Sequence, residues 1–150
     1  MDITVLAYIK KDDCYLMLLR NKKQNDMNEG KWLGIGGHVE ENETPDQALI
    51  REVKEETNLD VVSYTYRGLL TFINNDYQEI MHLYTVEKFS GELKECDEGT
   101  LKYQKIKDIP NLNIWEGDKV FLDLIAKDVP FFKLTLIYEN DKLKEVKKSC

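Results

Sequence analysis

Short apolar runs alternate with polar, turn-forming segments along most of the chain. Residues 3–9 and 14–19 are rich in β-favouring side chains and flank the charged segment 10–13, which predicts a β-hairpin. Two longer runs, 61–73 and 78–88, carry Val, Tyr, Thr and Leu and flank a stretch of Asn and Asp. These runs predict a second pair of strands joined by a turn.

The remaining segments predict further strands, a loop and a helix. Residues 101–106 predict a short strand, Pro110 ends the loop that follows, and residues 131–138 predict the last strand. Residues 118–127 place apolar side chains at helical spacing. The polar segment 21–29 predicts a loop near the start of the chain.

Local capping chemistry predicts a helix over residues 45–57. Thr44 is a favourable N-cap, and Pro45 suits the first helical position. Gln47 completes a capping box with Thr44. Asn58 tolerates the left-handed conformation in which many helices end, so it marks the C-terminal boundary.

Strands on either side of two helices predict a single α/β domain, over residues 1–150, with a mixed β-sheet. The length and the 42% of hydrophobic residues suffice for one buried core. No apolar run reaches the length of a membrane span, and no signal segment opens the chain. Cysteines that are odd in number and lack CxxC spacing indicate reduced thiols, so we expect a cytoplasmic protein without a membrane partner.

The composition is acidic, with a formal net charge of −7. Binding along a nucleic-acid backbone needs a basic surface, so we expect no nucleic-acid polymer as partner. A small phosphorylated ligand is compatible with this charge, because divalent cations bridge acidic side chains and phosphates. The sequence leaves open whether the chain is a monomer or a homodimer.

The predicted helix carries three closely spaced glutamates, Glu52, Glu55 and Glu56. At about 100° per residue they fall within an arc of roughly 100°. Glu52 and Glu56 repel each other as an i,i+4 pair, and a hard cation such as Mg²⁺ or Mn²⁺ relieves that repulsion. The alternative is a solvated helix face, which is common for isolated charge runs.

A glycine-rich segment leads into this helix, and together they resemble the Nudix box, G-x5-E-x7-R-E-U-x-E-E-x-G-U, where U is a bulky aliphatic residue. The box would span residues 37–59, and the matching residues are Gly37, Glu43, Arg51, Glu52, Val53, Glu55, Glu56 and Leu59. Asn58 stands where the pattern has Gly, and Asn also adopts the left-handed conformation. The resemblance implies a Nudix-type α/β/α sandwich whose box forms a loop, helix and loop beside the sheet.

The same resemblance implies Mg²⁺-dependent hydrolysis of a phosphoanhydride in a nucleoside diphosphate linked to another group. The three helix glutamates would be ligands of Mg²⁺ or Mn²⁺, and Glu52 would also act as base toward water. Arg51 would be the orienting cation, folded toward Glu43, although a surface salt bridge is the alternative. The backbone of Gly37 would approach the metal or the phosphate.

A further metal ligand is expected from the acidic segment 95–98. Several Nudix enzymes place an additional glutamate on a loop at about this distance from the box. Glu98 fits best, with Glu95 and Asp97 as alternatives. A solvated acidic loop explains the same residues equally well.

Residues 30–37 also resemble the MutT-like Nudix enzymes that act on oxidised purine nucleoside triphosphates. By that resemblance, Trp115 would stack on a purine and Asp118 would hydrogen-bond its edge. Leu33 stands where such an enzyme has an Asn that contacts the base, and Gly117 stands where it has the first of two aspartates. Asp118 is equally a candidate N-cap for the following helix.

These features favour a purine nucleoside triphosphate as the small-molecule partner, for example 8-oxo-dGTP hydrolysed to the monophosphate and pyrophosphate. Lys23 precedes the box and would meet the phosphates, with an ordinary solvated lysine as the alternative. Two other functions stay open: a Nudix pyrophosphatase for ADP-ribose or a dinucleoside polyphosphate, and a noncatalytic Nudix-fold module that binds nucleotides. The intact glutamates of the box favour an enzyme.

Overall fold

The computed structural model describes residues 1–22 and 25–149. In that part of the chain the strands are β1 (Asp2–Lys11), β2 (Cys14–Leu19), β3 (Trp32–Leu33), β4 (Ile35–His38), β5 (Asp60–Asn74), β6 (Tyr77–Ser90), β7 (Thr100–Lys105), β8 (Phe132–Glu139) and β9 (Lys142–Ser149). The helices are α1 (Pro45–Thr57) and α2 (Glu116–Ala126), and a 3-10 helix covers Ile106–Asn111.

The sheet is mixed, as the sequence predicts. Its strands lie in the order β3-β2-β1-β6-β5-β8-β9, with β4 paired to β1 and β7 paired to β2. The β1–β6 and β5–β8 pairs are parallel, and the other strand pairs are antiparallel. One edge of β1 pairs with β6, and two strands share its other edge. Residues 4–7 of that edge pair with β4, and residues 9–11 pair with β2.

Alternating side chains send two apolar sets to opposite faces of the sheet. In β1, Val5, Ala7 and Ile9 join one core and Tyr8 joins the other. The first core packs against α1 and the second against α2, through Ala48, Leu49 and Val53 of α1 and Phe121 and Ile125 of α2. A helix on each face makes an α/β/α sandwich, so the predicted fold class is confirmed.

Helix α1 begins and ends where its local chemistry predicts. Thr44 Oγ1 accepts a hydrogen bond from the Gln47 amide at 3.1 Å, and the Gln47 side chain accepts one from the Thr44 amide at 2.9 Å. Asn58 closes the helix in the left-handed region, with φ at 70°. Both ends are therefore fixed, and the box glutamates are held at a defined rotation relative to the sheet.

Some details differ from the sequence predictions. Pro110 lies inside the 3-10 helix, and residues 30–37 contribute two strands, β3 and β4, that had not been predicted. The strand predicted at 131–138 is not the last one, because β9 follows it. Strand β9 reads KLKEVKKS and is mostly exposed at the sheet edge, so it lacks the apolar alternation of a buried strand. None of the helices in the described ranges is long and apolar enough to cross a membrane.

Candidate active site

Close backbone contact brings strand β4 against its neighbours at the start of the box. A Cβ atom on Gly37 would overlap the carboxylate of Glu52, and one on Gly36 would overlap the carbonyl of Val5. Glycine is therefore needed at position 36, where a Cβ would meet backbone, while a side chain at position 37 would displace the carboxylate of Glu52. Gly37 lets a helix glutamate reach the strand, while its predicted backbone contact with metal or phosphate stays a prediction.

Arg51 connects the loop before α1 with the glutamates on the helix. Its Nε and Nη2 donate to both carboxylate oxygens of Glu43, at 2.7 and 2.9 Å, and Nη2 also donates to the carbonyl of His38 at 2.9 Å. Its Nη1 donates to Glu52 at 2.8 Å and to Glu55 at 3.2 Å. The hydrogen bonds from Arg51 hold the pKa of Glu43 down to about 2. The Arg51 side chain therefore points toward Glu43, as predicted.

The box glutamates differ in their surroundings. The Glu55 side chain is 59% exposed and bonds to Arg51, and it does not line the cavity beside the helix. Glu52 and Glu56 both line that cavity. Burial raises the pKa of Glu52, and the hydrogen bond from Arg51 opposes that rise. The structure therefore brings two of the three predicted glutamates together in one cavity, and Glu55 remains a predicted ligand on the exposed side.

Glu56 is the most buried carboxylate of the box, with 9% exposure. Its Oε2 accepts a hydrogen bond from the Gly36 amide at 3.1 Å. Burial, together with a hydrogen bond to Glu98, raises the pKa of Glu56 to about 9. Glu98 faces the same cavity, and its carboxylate, that of Glu56 and the thiol of Cys96 have ligand atoms within 4.8 Å of one another. The loop glutamate thus lies beside the helix glutamate, as expected for an additional ligand.

The loop that carries Glu98 is fixed by contacts with strand β2 and its neighbourhood. Cys96 and Gly99 form an isolated antiparallel bridge. Lys22 Nζ donates to the Cys96 carbonyl at 2.9 Å. A Cβ atom on Gly99 would overlap the carbonyl of Leu19, so the loop lies directly against β2. These contacts determine where the carboxylate of Glu98 enters the cavity.

The carboxylates in the cavity fit a hard divalent cation. Glu56 and Glu98 supply oxygen donors close together, and Glu52 supplies another in the same cavity. The raised pKa of Glu56 reflects a buried negative charge beside a second carboxylate. A cation compensates such a pair, and Mg²⁺ prefers oxygen ligands while keeping several waters. Glu52, Glu56 and Glu98 are therefore the residues that would hold Mg²⁺ here.

The cavity has a volume of about 490 Å³ and extends from these carboxylates to the start of α2. This size is within the range of small-molecule sites. Asp118, on α2, also lines the cavity and is buried. Burial raises its pKa to about 8, and the charge of Lys31 opposes that rise. The N-cap of α2 is Trp115, so the alternative that Asp118 caps the helix is wrong.

Gly117 cannot be replaced by an aspartate without movement of the core. A Cβ atom there would lie 2.7 Å from the Tyr138 hydroxyl and 2.8 Å from Cδ1 of Leu136. The Gly117 amide donates to the same hydroxyl at 2.7 Å. The close packing leaves no room for a second acid next to Asp118 unless Tyr138 or Leu136 moves.

Trp115 forms part of the cavity wall and is only 4% exposed. Its indole packs edge-on against Phe72 and Tyr138, each with ring centroids 5.1 Å away. Its Nε1 donates to Asn28 at 2.7 Å, and Lys31 Nζ lies 4.7 Å from the ring centroid. The ring is held rigidly by these contacts, and base stacking on it stays a prediction.

Leu33 also lines the cavity, where its apolar side chain offers no hydrogen bond to a base. Several lining residues lie outside the predicted site, namely Asn28, Phe72, Tyr77, Glu79 and Met81. Glu79 could have been found from the sequence, because it is a charged residue within a run that otherwise favours a β-strand. Lys23, the predicted phosphate contact, lies outside the residues that the structure describes.

Replacement of Arg51 by Lys tests whether the guanidinium positions the carboxylates. Lys keeps the charge but cannot bond both oxygens of Glu43 and also reach His38 and Glu52. We expect Arg51→Lys to lower kcat by about tenfold, in line with loss of a group that orients metal ligands. Steady-state kinetics at saturating metal measure this effect.

Arg67→Lys is the matched control, because Arg67 is a similarly buried arginine that bonds Thr85 and Asp128 away from the cavity. We expect this control to keep its kcat. An unchanged kcat in Arg51→Lys would show that Arg51 is only a surface salt bridge.

Comparison with known proteins agrees with the geometry of the site. The family model described as the NUDIX domain matches residues 2–125. The chain is 30% identical over 132 residues to the oxidized purine nucleoside triphosphate hydrolase of Danio rerio, covering 87% of this chain and 85% of that protein. It is 29% identical over 136 residues to Bacillus subtilis (strain 168) YvcI, named an uncharacterized Nudix hydrolase, covering 87% and 82% of the two chains.

The fold matches that of a solved structure along nearly its whole length. The mutator MutT protein from Bacillus halodurans superposes with a TM-score of 0.88, covering 99% of this chain and 98% of that chain. The two sequences are 20% identical, so this likeness concerns the fold. The family model, in contrast, includes every residue of the box and every residue that lines the cavity. The chain therefore belongs to the Nudix family and is a pyrophosphohydrolase of that family.

Proposed function

We propose that this protein hydrolyses a purine nucleoside triphosphate to the monophosphate and pyrophosphate, with an oxidised purine such as that of 8-oxo-dGTP as the preferred base. One observation carries the proposal. A single cavity is lined both by the carboxylates of Glu52, Glu56 and Glu98 and by the buried acid Asp118. The name of the Danio rerio relative supports the same substrate class.

The acidic end would carry out the phosphoanhydride chemistry. Bound Mg²⁺ would neutralise the charge of the phosphate oxygens there. Glu56 and Glu98 would hold it, with Glu52 beside them and Glu55 as the proposed ligand from the exposed side. Glu52 would also accept the proton of the attacking water, which suits a carboxylate whose pKa is raised by burial. Arg51 would orient Glu52 through its 2.8 Å hydrogen bond.

The opposite end would recognise the base. Because the pKa of Asp118 is raised to about 8, its carboxyl is mostly protonated at neutral pH and offers one donor and one acceptor. That pair complements the adjacent carbonyl and N–H groups of a guanine-type base. Trp115 would supply a flat apolar surface for the purine, and Leu33 would add apolar contact. Recognition would therefore depend on one acid and apolar packing.

We also propose that residues 1–150 act as one Nudix domain in the cytoplasm, as a monomer or a homodimer. The net charge of −7 supports a small nucleotide, and not a nucleic-acid polymer, as the partner. Lys23, which precedes the box, would add a positive charge near the phosphates.

A panel of nucleotides with Mg²⁺ tests the proposed substrate. The panel contains 8-oxo-dGTP, dGTP, dCTP, ADP-ribose and a dinucleoside polyphosphate, and products are separated by ion-exchange chromatography. We expect the largest kcat/KM for 8-oxo-dGTP, with pyrophosphate as product and no turnover when the metal is chelated. Preferential cleavage of ADP-ribose would replace the proposed substrate, and binding without turnover would indicate a noncatalytic module.

A further inference from the structure

A thiol lies beside the two buried carboxylates of the site. Sγ of Cys96 and carboxylate oxygens of Glu56 and Glu98 lie within 4.8 Å of one another. Cys96 is 4% exposed and is not in a disulfide. Mg²⁺ selects oxygen ligands, whereas thiolates select softer cations. The same group of residues therefore offers an oxygen set for Mg²⁺ and a mixed sulfur and oxygen set for a softer cation.

We propose that Cys96, Glu56 and Glu98 form a binding site for a borderline-soft divalent cation of the Zn²⁺ type. Thiolate sulfur and carboxylate oxygen are both Zn²⁺ ligands, and three protein ligands leave a fourth position for water. When the cation binds, the Cys96 thiol releases its proton to solvent and the sulfur donates an electron pair to the metal. The proposal rests on the proposed function only in taking Glu56 and Glu98 as residues that accept a cation.

The position of the sulfur is set independently of the carboxylates. The backbone of Glu98 and Gly99 hydrogen-bonds to the Cys96 sulfur and fixes its position. Backbone groups that bond a ligand atom in this way orient it toward a metal. The tight contact of Gly99 with Leu19 and the Lys22 bond to the Cys96 carbonyl hold the same turn in place.

Glu56 and Glu98 line the cavity, so a cation that enters it meets the two carboxylates beside the sulfur. A Zn²⁺ ion bound there uses both carboxylates and removes them from the oxygen set available to Mg²⁺. We therefore expect Zn²⁺ to inhibit turnover that Mg²⁺ supports, and excess Mg²⁺ to restore it. The site gives this chain a response to soft metals that an all-oxygen site lacks.

Cadmium is the probe that tests the sulfur directly, because a Cd²⁺–thiolate bond adds an ultraviolet charge-transfer band. The chain has three cysteines, so Cys14→Ser/Cys150→Ser leaves Cys96 as its single thiol. We expect this protein to bind one Cd²⁺ with the charge-transfer band. Adding Cys96→Ser should abolish the band and weaken Cd²⁺ binding by at least about tenfold, since loss of even an outer-shell partner costs roughly 10–100-fold in metal affinity. Zn²⁺, but not Mg²⁺, should displace the Cd²⁺ at similar concentrations.

The charge-transfer band of the single-thiol protein tests the sulfur ligand without any change at residue 96. Poor folding of Cys96→Ser therefore does not affect this test. Binding of Cd²⁺ without the band, or equal affinity in Cys96→Ser, would overturn the proposal. Mg²⁺-dependent hydrolysis is measured on the same preparations. Hydrolysis without the band refutes only the soft-metal site, whereas the band without hydrolysis refutes only the proposed function.

Discussion

Replacement of Glu56 by Gln is expected to lower kcat by at least about a thousandfold and, at the same time, to stabilise the metal-free protein. The activity falls because the amide loses the charge that holds the cation, and losses of this size accompany removal of groups that act on the transition state. The stability rises because Gln keeps the shape and the acceptor for the Gly36 amide at 3.1 Å but carries no charge to bury.

The sign of the stability effect follows from the raised pKa of Glu56. Its pKa moves from 4.5 in the unfolded chain to about 9 in the fold, so the folded state binds the proton more tightly. The stability contributed by this group is complete below about pH 4.5 and is lost as pH rises toward 9. Glu56→Gln removes that loss, which is of the order of 1–3 kcal/mol at neutral pH.

Thermal unfolding in the presence of a chelator, at pH 5 and pH 8, measures the stability effect. We expect a higher Tm for Glu56→Gln at pH 8, by roughly 2–4 °C per kcal/mol, and little difference at pH 5. Glu92→Gln, at an exposed position outside the cavity, is the control that should change neither Tm nor kcat. Turnover near that of the wild type in Glu56→Gln would show that this glutamate does not take part in catalysis.

Replacement of Asp118 by Ala is expected to lower kcat/KM for the purine substrate by about 10–100-fold. Loss of hydrogen bonds in a buried site costs about 1–3 kcal/mol, and each 1.4 kcal/mol is about tenfold in affinity. The value for dCTP should change much less, because a pyrimidine does not present the same edge. Asp123→Ala is the matched control, since Asp123 is exposed on the same helix and pairs with Lys127.

The protonation of Asp118 should also make kcat/KM depend on pH. Burial raises its pKa from 3.8 to about 8, so the donor form is lost as pH rises through about 8. We expect kcat/KM for 8-oxo-dGTP to fall across that range in the wild type. Asp118→Asn keeps a donor and an acceptor without titrating, so its profile should be flat there. Equal selectivity for purine over dCTP in Asp118→Ala would exclude Asp118 as the residue that recognises the base.

Helix α1 could be predicted residue by residue, because its capping box and its left-handed end at Asn58 depend on neighbours in sequence. The paired strands β1–β2 and β5–β6 were also predictable from their apolar runs and the turns between them. Strands β3 and β9 were not, since β3 has only two residues and β9 is polar. Both are strands because a neighbouring strand supplies their hydrogen bonds, which is a tertiary effect.

The chemistry of the site divides in the same way. The spacing of the box identified Arg51 and Glu43, and their bidentate contact follows from the seven intervening positions, most of which lie in the first turns of α1. Neither the contact of Glu56 with Glu98 nor the burial of Asp118 follows from local spacing. Each depends on a distant segment: a loop held against β2 in the first case, and the packing of α2 on the sheet in the second.

The last strand also bears on how copies of the chain meet. Strand β9 ends the sheet, and its eight residues include four lysines. Like charges on an edge strand repel a second strand that approaches to pair with it, which prevents a sheet from growing from molecule to molecule. Pairing of β9 with the same strand of a second copy is therefore disfavoured, so we expect this edge not to form a continuous sheet between molecules.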